Sequence, residues 1–298
     1  MKTIKTITEF HRLLSLPEPQ HPLVSVTPSE LCKFEADGPW SQFIHQFYCI
    51  ALKRDVKGKI KYGQQTYDYD KGVMSFTAPR QVQSLDVQTL ECGSGLLLVF
   101  HPDLLLKHPL ATTITHYGFF SYAVNEALHL SPREEEDIIA LFKTIDQECQ
   151  HIDRHTQDII LSQIDLLLHY SNRFYERQFI TRTNSNSDLL IKFQAIVDAY
   201  FNSDQPEEKG LLTVQQVAVA MHLSPNYLSD MLRSLTGQNA QQHIQLRLIE
   251  KAKEILAISH LTVGEIAYQL GFEHPQSFSK FFKAKTNQSP LAFRTSFN

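Results

Sequence analysis

Two histidines near the middle of the chain have a spacing that suits metal binding. His151 and His155 are four residues apart, and Glu148 stands three residues before the first of them. On a helix these side chains would share one face, as they do in helical zinc sites. Such sites have a glutamate directly after the first histidine, whereas this chain has Ile152. A solvated helix surface is therefore the favoured interpretation.

Other signatures of enzymatic chemistry are absent from the sequence. A strand-rich region contains histidines without the HxH pair that opens a cupin metal site; they are His45, His101, His108 and His116. The sequence has no P-loop, no GxGxxG, no GxSxG and no Pro-Cys-His-Arg motif of a DNA-repair methyltransferase. We therefore expect no enzymatic activity, no cofactor and no metal.

A segment that occurs twice near the C-terminus offers a different chemistry. Residues 213–237 (the first motif) align with residues 262–287 (the second motif) at an offset of 49 that becomes 50 after one inserted residue. Each copy opens with a capping box, in which two side chains satisfy free backbone N–H groups at a helix start. The pairs are Thr213 with Gln216 and Thr262 with Glu265. Each copy is therefore predicted to begin with a short helix.

A second helix is expected after a tight turn in each copy. It begins at Pro225 or Pro275 and ends at Gly237 or Asn287, residue types that suit the first helical position and the left-handed C-terminal position. A single pair of such helices occurs in many folds for structural reasons. Two copies in register, with basic side chains around them, indicate two helix-turn-helix motifs that bind DNA.

The helix between the motifs sets their separation. Residues 241–256 have one apolar face at helical spacing, formed by Ile244, Leu248, Ala252, Ile255 and Leu256. At about 1.5 Å per residue this helix spans roughly 24 Å. That length suits two recognition helices held about one DNA turn apart, roughly 34–36 Å, on one side of a duplex.

At these residues the chain resembles the AraC/XylS family of bacterial transcription regulators. The resemblance covers about residues 189–297. The stretches that carry it are Leu-Ser-Pro-Asn-Tyr-Leu-Ser at 223–229, Arg-Leu-Ile-Glu-Lys-Ala-Lys at 247–253, Ile-Ala-Tyr-Gln-Leu-Gly-Phe at 266–272, Gln-Ser-Phe-Ser-Lys-Phe-Phe at 276–282 and Ser-Pro at 289–290. It implies an all-α domain in which the outward faces of both recognition helices contact base edges and phosphates.

The resemblance assigns the DNA contacts by position. In the first motif they are Asn226, Ser229, Asp230 and Arg233. In the second motif they are Gln276, Ser277, Ser279, Lys280 and Lys283. Asparagine and glutamine pair well with adenine, and lysine binds guanine or phosphate. Asp230 departs from the family, where a basic residue is common, and it would accept a hydrogen bond from cytosine N4 or pair with Arg233 or a neighbouring residue.

Charge is distributed as DNA binding requires. Residues 210–298 contain eight lysines and arginines against five aspartates and glutamates, a net charge of +3. The whole chain carries −4, which leaves −7 for residues 1–209. Because phosphate neutralisation dominates DNA affinity, so small an excess predicts weak, salt-sensitive binding by one domain and favours a dimer.

The first half of the chain has the pattern of short strands. Runs at 43–52, 59–62, 73–77 and 96–100 are rich in Val, Ile, Phe and Tyr and are separated by Gly and Pro. They predict a small antiparallel barrel or sandwich, and the family resemblance implies a cupin-like barrel over about 20–120 that holds an effector. We expect the pocket aromatics to be Phe47, Tyr62, Phe76 and Phe100, with plain barrel core as the alternative.

Two helices are predicted after the barrel, within about residues 131–177. The second has apolar residues beyond one stripe, namely Ile159, Leu161 and Leu166, which favour either a dimer seam or packing on the barrel. We therefore divide the chain into an effector-binding and dimerisation domain (1–180), a polar linker (181–188) and a DNA-binding domain (189–298). Another polar break is expected at 203–210. The overall fold class is α+β.

The compartment follows from what the sequence lacks. No run of about eighteen apolar residues is present, and the N-terminus has no apolar signal core. The four cysteines are far apart, without a CxxC, so free thiols in a reducing cytoplasm are expected. We expect no contact with a membrane.

These features predict a cytoplasmic transcription regulator, and the family resemblance implies an activator. It would read promoter DNA in two successive major grooves, form a homodimer and contact RNA polymerase. The N-terminal domain would control it through a small-molecule effector. The alternative is an effector-independent DNA-binding protein whose N-terminal domain only dimerises or recruits a protein partner.

Overall fold

The computed structural model contains two compact units, Met1–Gln178 and Phe179–Asn298. It describes residues 1–35, 38–54, 60–62, 65–67, 72–85, 93–123, 126–181 and 183–296, with the backbone alone at 60–62, 65–67 and 183–187. The first unit contains the sheets and the second is helical. The predicted α+β class, with strands first and an all-α part last, is therefore confirmed.

The strands of the first unit form two sheets and a hairpin. The strands are β1 Lys2–Ile4, β2 Val24–Pro28, β3 Phe43–His45, β4 Tyr48–Lys53, β5 Ile60–Tyr62, β6 Gln65–Tyr67, β7 Val73–Thr77, β8 Val82–Gln83, β9 Gly95–Phe100 and β10 Leu128–His129. The five-stranded sheet has the order β10-β7-β4-β9-β2 and is antiparallel. The three-stranded sheet has the order β1-β3-β8, with β1 parallel to β3, and β5 pairs with β6.

The predicted strand run 43–52 is divided between the two sheets. Its first part is β3 and its second part is β4, and the residues between them change direction from one sheet to the other. A continuous apolar run cannot reveal such a change, because both strands are half-buried and rich in the same residue types. The other predicted runs correspond to β5, β7 and β9.

The two faces of the five-stranded sheet have different side chains. Successive strand residues point to opposite faces. On one face of β4, Ile50 and Leu52 are fully buried. On the other face are the smaller Cys49 and Ala51, which leave space next to the sheet. A separate apolar cluster lies on that side and includes Ile4, Ile7, Phe10, Leu14, Trp40, Phe43 and Phe47.

The helices of the first unit are α1 Ile7–Leu13, α2 Leu110–Thr113, α3 Pro132–Gln150 and α4 Thr156–Thr181. The predicted capping box opens α3, with Ser131 and Glu134 bonding to each other's backbone N–H. Arg177 of α4 donates to Glu134 at 2.7 Å. Of the three surplus apolar residues on α4, Leu161 is buried, whereas Ile159 and Leu166 are exposed.

The helices of the second unit are α5 Thr183–Phe201, α6 Gln205–Lys209, α7 Val214–Met221, α8 Pro225–Thr236, α9 Ala240–Ile258, α10 Val263–Gln269, α11 Pro275–Thr286 and α12 Pro290–Thr295. The linker prediction is wrong in its secondary structure, because α5 begins at Thr183 and includes most of the predicted linker. Residues 183–188 contain no Gly or Pro, and Ser and Asn cost a helix less than about 0.7 kcal/mol each. The predicted break at 203–210 likewise contains α6.

Within the described residues, the helices lack the combination of length and hydrophobicity that a membrane-spanning segment requires.

Candidate nucleic-acid interface

The first motif folds as its local sequence dictates. Thr213 accepts a hydrogen bond from the backbone N–H of Gln216 at 3.2 Å, and Gln216 accepts one from the N–H of Thr213 at 2.8 Å. His222 ends α7 in the left-handed conformation with φ 57°. Ser224 then caps α8 by accepting from the N–H of Tyr227 at 3.2 Å. The turn and both caps therefore fix the direction in which α8 leaves α7.

The second motif repeats this arrangement, but its turn packs closely against the backbone of a neighbouring segment. Thr262 and Glu265 form the predicted capping box of α10. Gly271 in the following turn has φ +89°, and a Cβ there would lie 2.6 Å from the carbonyl oxygen of Gly210. Only glycine fits this turn, because both the backbone conformation and the space exclude a side chain. Asn287 ends α11 with φ 62°, as its residue type predicts.

Each recognition helix buries one stripe and exposes the opposite one. In α8 the buried side chains are Tyr227, Leu228, Met231 and Leu232. In α11 they are Phe278 and Phe282. Tyr227 contacts Phe179 edge-on, with ring centroids 5.2 Å apart, and its ring is therefore unavailable to DNA.

The nine predicted DNA contacts all lie outside the buried stripes. Four of them, Asn226, Arg233, Gln276 and Lys280, are exposed. Ser277 and Lys283 are exposed as well, whereas Ser229, Asp230 and Ser279 are partly covered. Positions 226, 229, 230 and 233 have the spacing of one helix face, and so do positions 276, 279, 280 and 283. The structure therefore gathers each set on one face, and their contact with DNA stays a prediction.

The two faces differ in charge. On α8, Arg233 Nη1 is 2.9 Å from Asp230 Oδ1, so this face is close to neutral. On α11, Lys280 and Lys283 are exposed, and no ion pair of either is found in the described part of the chain. The predicted Asp230–Arg233 pairing is confirmed by this geometry.

Helix α9 is the common support of both motifs. It is nineteen residues long and therefore extends roughly 28 Å, slightly more than predicted. It contacts α7 and α8 of the first motif and α10 of the second, through buried residues that include Ile244, Leu248 and Leu256. Arg247 of α9 pairs with Asp198 of α5 and, at 3.1 Å, with Glu254.

Arg294 belongs to this support rather than to the DNA-binding faces. Its Nε donates to the carbonyl oxygen of Leu256 at 3.3 Å. Leu256 lies in the last turn of α9, where backbone carbonyls are free and attract a cation. Arg294 therefore caps α9 from α12.

The first unit contains a cavity of about 200 Å³ between its two sheets. Strand residues of the small-residue face line one side, namely Cys49, Ala51, Lys53, Ser75, Thr77 and Leu97. Further lining residues include Phe10, Phe34, Trp40, Phe43, His45 and Gln83. Burial raises the pKa of Cys49 to about 12, so its thiol stays protonated and unreactive.

The predicted pocket aromatics are not among the described lining residues. Phe76 packs on Phe119, with centroids 4.5 Å apart, and Phe100 stacks on Tyr48 at 5.0 Å. Both lie on the strand face opposite the cavity. Phe47 is fully buried in the adjoining apolar cluster, and the side chain of Tyr62 lies outside the described residues. Strand alternation shows which residues share a face, but it does not show which face borders a cavity.

The histidine pair lies between two helices rather than on one. Helix α3 ends at Gln150 and α4 begins at Thr156, so His151 and His155 belong to the connecting turn. His155 Nε2 accepts from Arg154 Nε at 2.8 Å. The i, i+4 helical geometry that a metal site would need is therefore not formed.

Comparison with known proteins agrees with this architecture. The helix-turn-helix domain family model matches residues 217–296. YfiF of Bacillus subtilis, an HTH-type transcriptional regulator, is 31% identical over 260 residues, which cover 84% of this chain and 77% of YfiF. YijO of Escherichia coli, another HTH-type transcriptional regulator, is 29% identical over 194 residues, which cover 65% of this chain and 58% of YijO.

A solved structure is similar to part of the chain. The C-terminal domain of the two-component response regulator yesN from Fusobacterium nucleatum is 29% identical, with a TM-score of 0.32. The likeness covers 37% of this chain and 98% of that domain.

Two helix-turn-helix motifs on one supporting helix, together with these relatives, define a DNA-binding transcription regulator. That class is not enzymatic, as the sequence predicts. The chain belongs to the AraC/XylS family.

Proposed function

We propose that the chain reads promoter DNA by placing α8 and α11 in two successive major grooves. The observation that carries this proposal is the repeated polar face, with the same spacing at 226–233 and 276–283, on two helices anchored to α9. A recognition helix inserts such a polar face into the groove, while its buried apolar stripe packs against the rest of the domain. Asn226 and Gln276 are suited to adenine, and Lys280 to guanine or phosphate.

The test is a map of bound DNA followed by a footprint. Binding of the full chain is mapped across the genome in cells, and the enriched site is then footprinted in vitro with a probe of major-groove access. Protection of two groove segments about 10 base pairs apart on one side of the duplex is expected. A single protected segment, or no retention on any duplex at low salt, contradicts the proposal.

We further infer that the first unit controls DNA binding through a small-molecule effector. The cavity between its sheets supports this role, because buried polar groups line it beside aromatic rings. Control requires that the ligand bind two arrangements of the protein with different affinity. The alternative is a first unit that only dimerises or recruits a protein partner.

Dimerisation and activation complete the proposal. The exposed Ile159 and Leu166 of α4 support a homodimer, because they lie two turns apart on one helix face and exposed apolar surface is typical of interfaces. Two DNA-binding units in one dimer raise the effective local concentration and offset the modest charge of each. We propose that the dimer acts in the bacterial cytoplasm as an activator that contacts RNA polymerase.

A further inference from the structure

Trp40, one of the residues that line the cavity, has a buried donor without an acceptor. Trp40 is fully buried, and its indole Nε1 has no hydrogen-bond partner within the described structure. Phe34 and Phe43 hold the ring edge-on, with centroids 4.8 and 5.3 Å away. A Cβ at Gly38 would lie 2.2 Å from Nε1, so a side chain at this position would collide with the donor. Native proteins rarely leave a buried N–H uncompensated.

A buried acceptor lines the same cavity. His45 is 4% exposed, and its Nδ1 lies 2.6 Å from the carbonyl oxygen of Phe47. Because a carbonyl only accepts, Nδ1 carries the proton. Burial lowers the pKa of His45 despite this hydrogen bond, so the imidazole is neutral and Nε2 is an acceptor. No donor to Nε2 is found among the residues that the structure describes.

The shape between these groups favours a flat ring. Aromatic side chains form one wall, namely Phe10, Phe34, Trp40 and Phe43. Small side chains of β4 and β7 form the other, among them Ala51 and Ser75. A volume of about 200 Å³ exceeds the space of a single water several times.

The electrostatics favour a neutral ligand. Among the described lining residues only Lys53, the last residue of β4, carries a formal charge when His45 is neutral. A carboxylate beside the Nε2 lone pair of His45 would be repelled by that lone pair. A phenol or similar hydroxyl would instead donate to Nε2 without bringing a charge.

From this arrangement we propose that the cavity binds a small neutral aromatic compound with a hydrogen-bond acceptor for Trp40 Nε1 and a donor for His45 Nε2. The proposal rests on effector control by the first unit and names the chemistry of the effector. It places the site on the face of β4 that carries Cys49 and Ala51, away from Phe76 and Phe100.

The test uses the intrinsic fluorescence of the full chain. Trp40 is its single tryptophan, so emission reports on the cavity directly. Four probes are titrated: para-hydroxyacetophenone, para-methoxyacetophenone (no donor), para-ethylphenol (no carbonyl acceptor) and the para-hydroxybenzoate anion. We expect the first to change the emission and to bind about tenfold more tightly than each of the others, as the loss of one buried hydrogen bond predicts. Equal affinities, tighter binding of the anion, or no change with any probe overturns the proposal.

Two variants locate the bound probe, with calorimetry as the readout. Trp40→Phe keeps a ring and removes the N–H, so affinity for para-hydroxyacetophenone should fall about tenfold. Tyr48→Phe removes one hydroxyl from a ring that stacks on Phe100, on the far face of the sheet, and should bind the probe unchanged. Unchanged affinity in Trp40→Phe, once circular dichroism shows it folded, places the probe elsewhere.

DNA binding is measured separately on the same preparations. A chain that binds DNA but none of the probes disproves the ligand class and leaves the DNA-reading proposal standing. A chain that binds para-hydroxyacetophenone but retains no duplex disproves DNA reading and leaves the ligand site standing.

Discussion

Asp230 and Arg233 form an ion pair within the first recognition helix, with Oδ1 and Nη1 2.9 Å apart. At an offset of 50, the equivalent residues of the second motif are Lys280 and Lys283. The two motifs therefore share their fold but differ in charge at the positions that are predicted to face DNA. On the proposed function, we expect α11 to supply phosphate affinity and α8 to contribute base selectivity with little non-specific attraction.

Replacing Asp230 by Asn should raise affinity for non-specific DNA by about threefold to tenfold. The change frees Arg233 for phosphate and removes one repulsive charge, so the dependence of log Kd on log salt should steepen by about one. The measurement is fluorescence polarisation with a random duplex at several salt concentrations. The matched control is Asp137→Asn, an exposed carboxylate of α3. Equal affinity and slope for the wild type and Asp230→Asn would refute this role.

Replacing Lys280 or Gln276 by Ala should weaken binding to the mapped site by about 1–3 kcal/mol. Both side chains are exposed, so neither change should alter the free energy of unfolding. Lys143→Ala in α3 removes a comparable exposed charge and should leave affinity unchanged. If both α11 variants bind the site as the wild type does, the recognition face is misassigned.

Gly271→Ala should destabilise the second unit by at least about 2 kcal/mol. Its φ of +89° and the 2.6 Å approach of an added Cβ to Gly210 both oppose a side chain. Gly264→Ala provides the opposite case, because its Cβ would meet nothing closer than 3.7 Å inside α10. That change should stabilise by about 0.5–1 kcal/mol. Urea unfolding of both variants checks the pair, and shifts of the same sign would contradict the packing at the turn.

Local signals made the motifs predictable. The capping boxes of Thr213 and Thr262 depend on residues three positions apart, and both are formed as expected. Gly237 and Asn287 end their helices for the same local reason. Such features depend little on the rest of the chain, and each of them occurs in both copies of the repeat.

Features that depend on tertiary structure were not predictable. The alternation of residues along the strands identified the two faces of the sheet. The position of the cavity, however, depends on His45 in the three-stranded sheet and on Trp40 in the segment before that strand. The start of α5 at Thr183 was missed because polar residues permit a loop and an exposed helix equally well. Burial of Tyr227 against Phe179 joins residues 48 positions apart, and no local pattern encodes that contact.

Residues 179–298 alone should fold and bind the mapped site more weakly than the full chain. They form one compact unit. Loss of the first unit removes the proposed dimer, and with it a gain in overall DNA affinity on the order of 10²–10⁴-fold. Circular dichroism and polarisation measure folding and binding. An unfolded fragment would contradict the domain boundary, and unchanged affinity would contradict the dimer.

Stability of the first unit should fall as the pH drops below about 6.5. Burial lowers the pKa of His45, and it does the same for His11 and His21. The unfolded chain then binds more protons than the folded one below the ordinary histidine value near 6.5. The stabilisation is thus fully present above that pH and is lost as the pH falls towards the lowered pKa of each folded histidine. The loss is at most about 1.4 kcal/mol per pH unit for each histidine.

The contribution of His45 can be separated from that of the other two. In His45→Gln the group that titrates in the cavity wall is gone, while His11 still bonds to Pro17 at 2.6 Å and to Ser25 at 2.9 Å. Its free energy of unfolding, measured by urea titration between about pH 5 and 7, should therefore fall less steeply than that of the wild type. Parallel curves would show that His45 is protonated equally in the folded and unfolded states, which is incompatible with a neutral imidazole in the cavity wall.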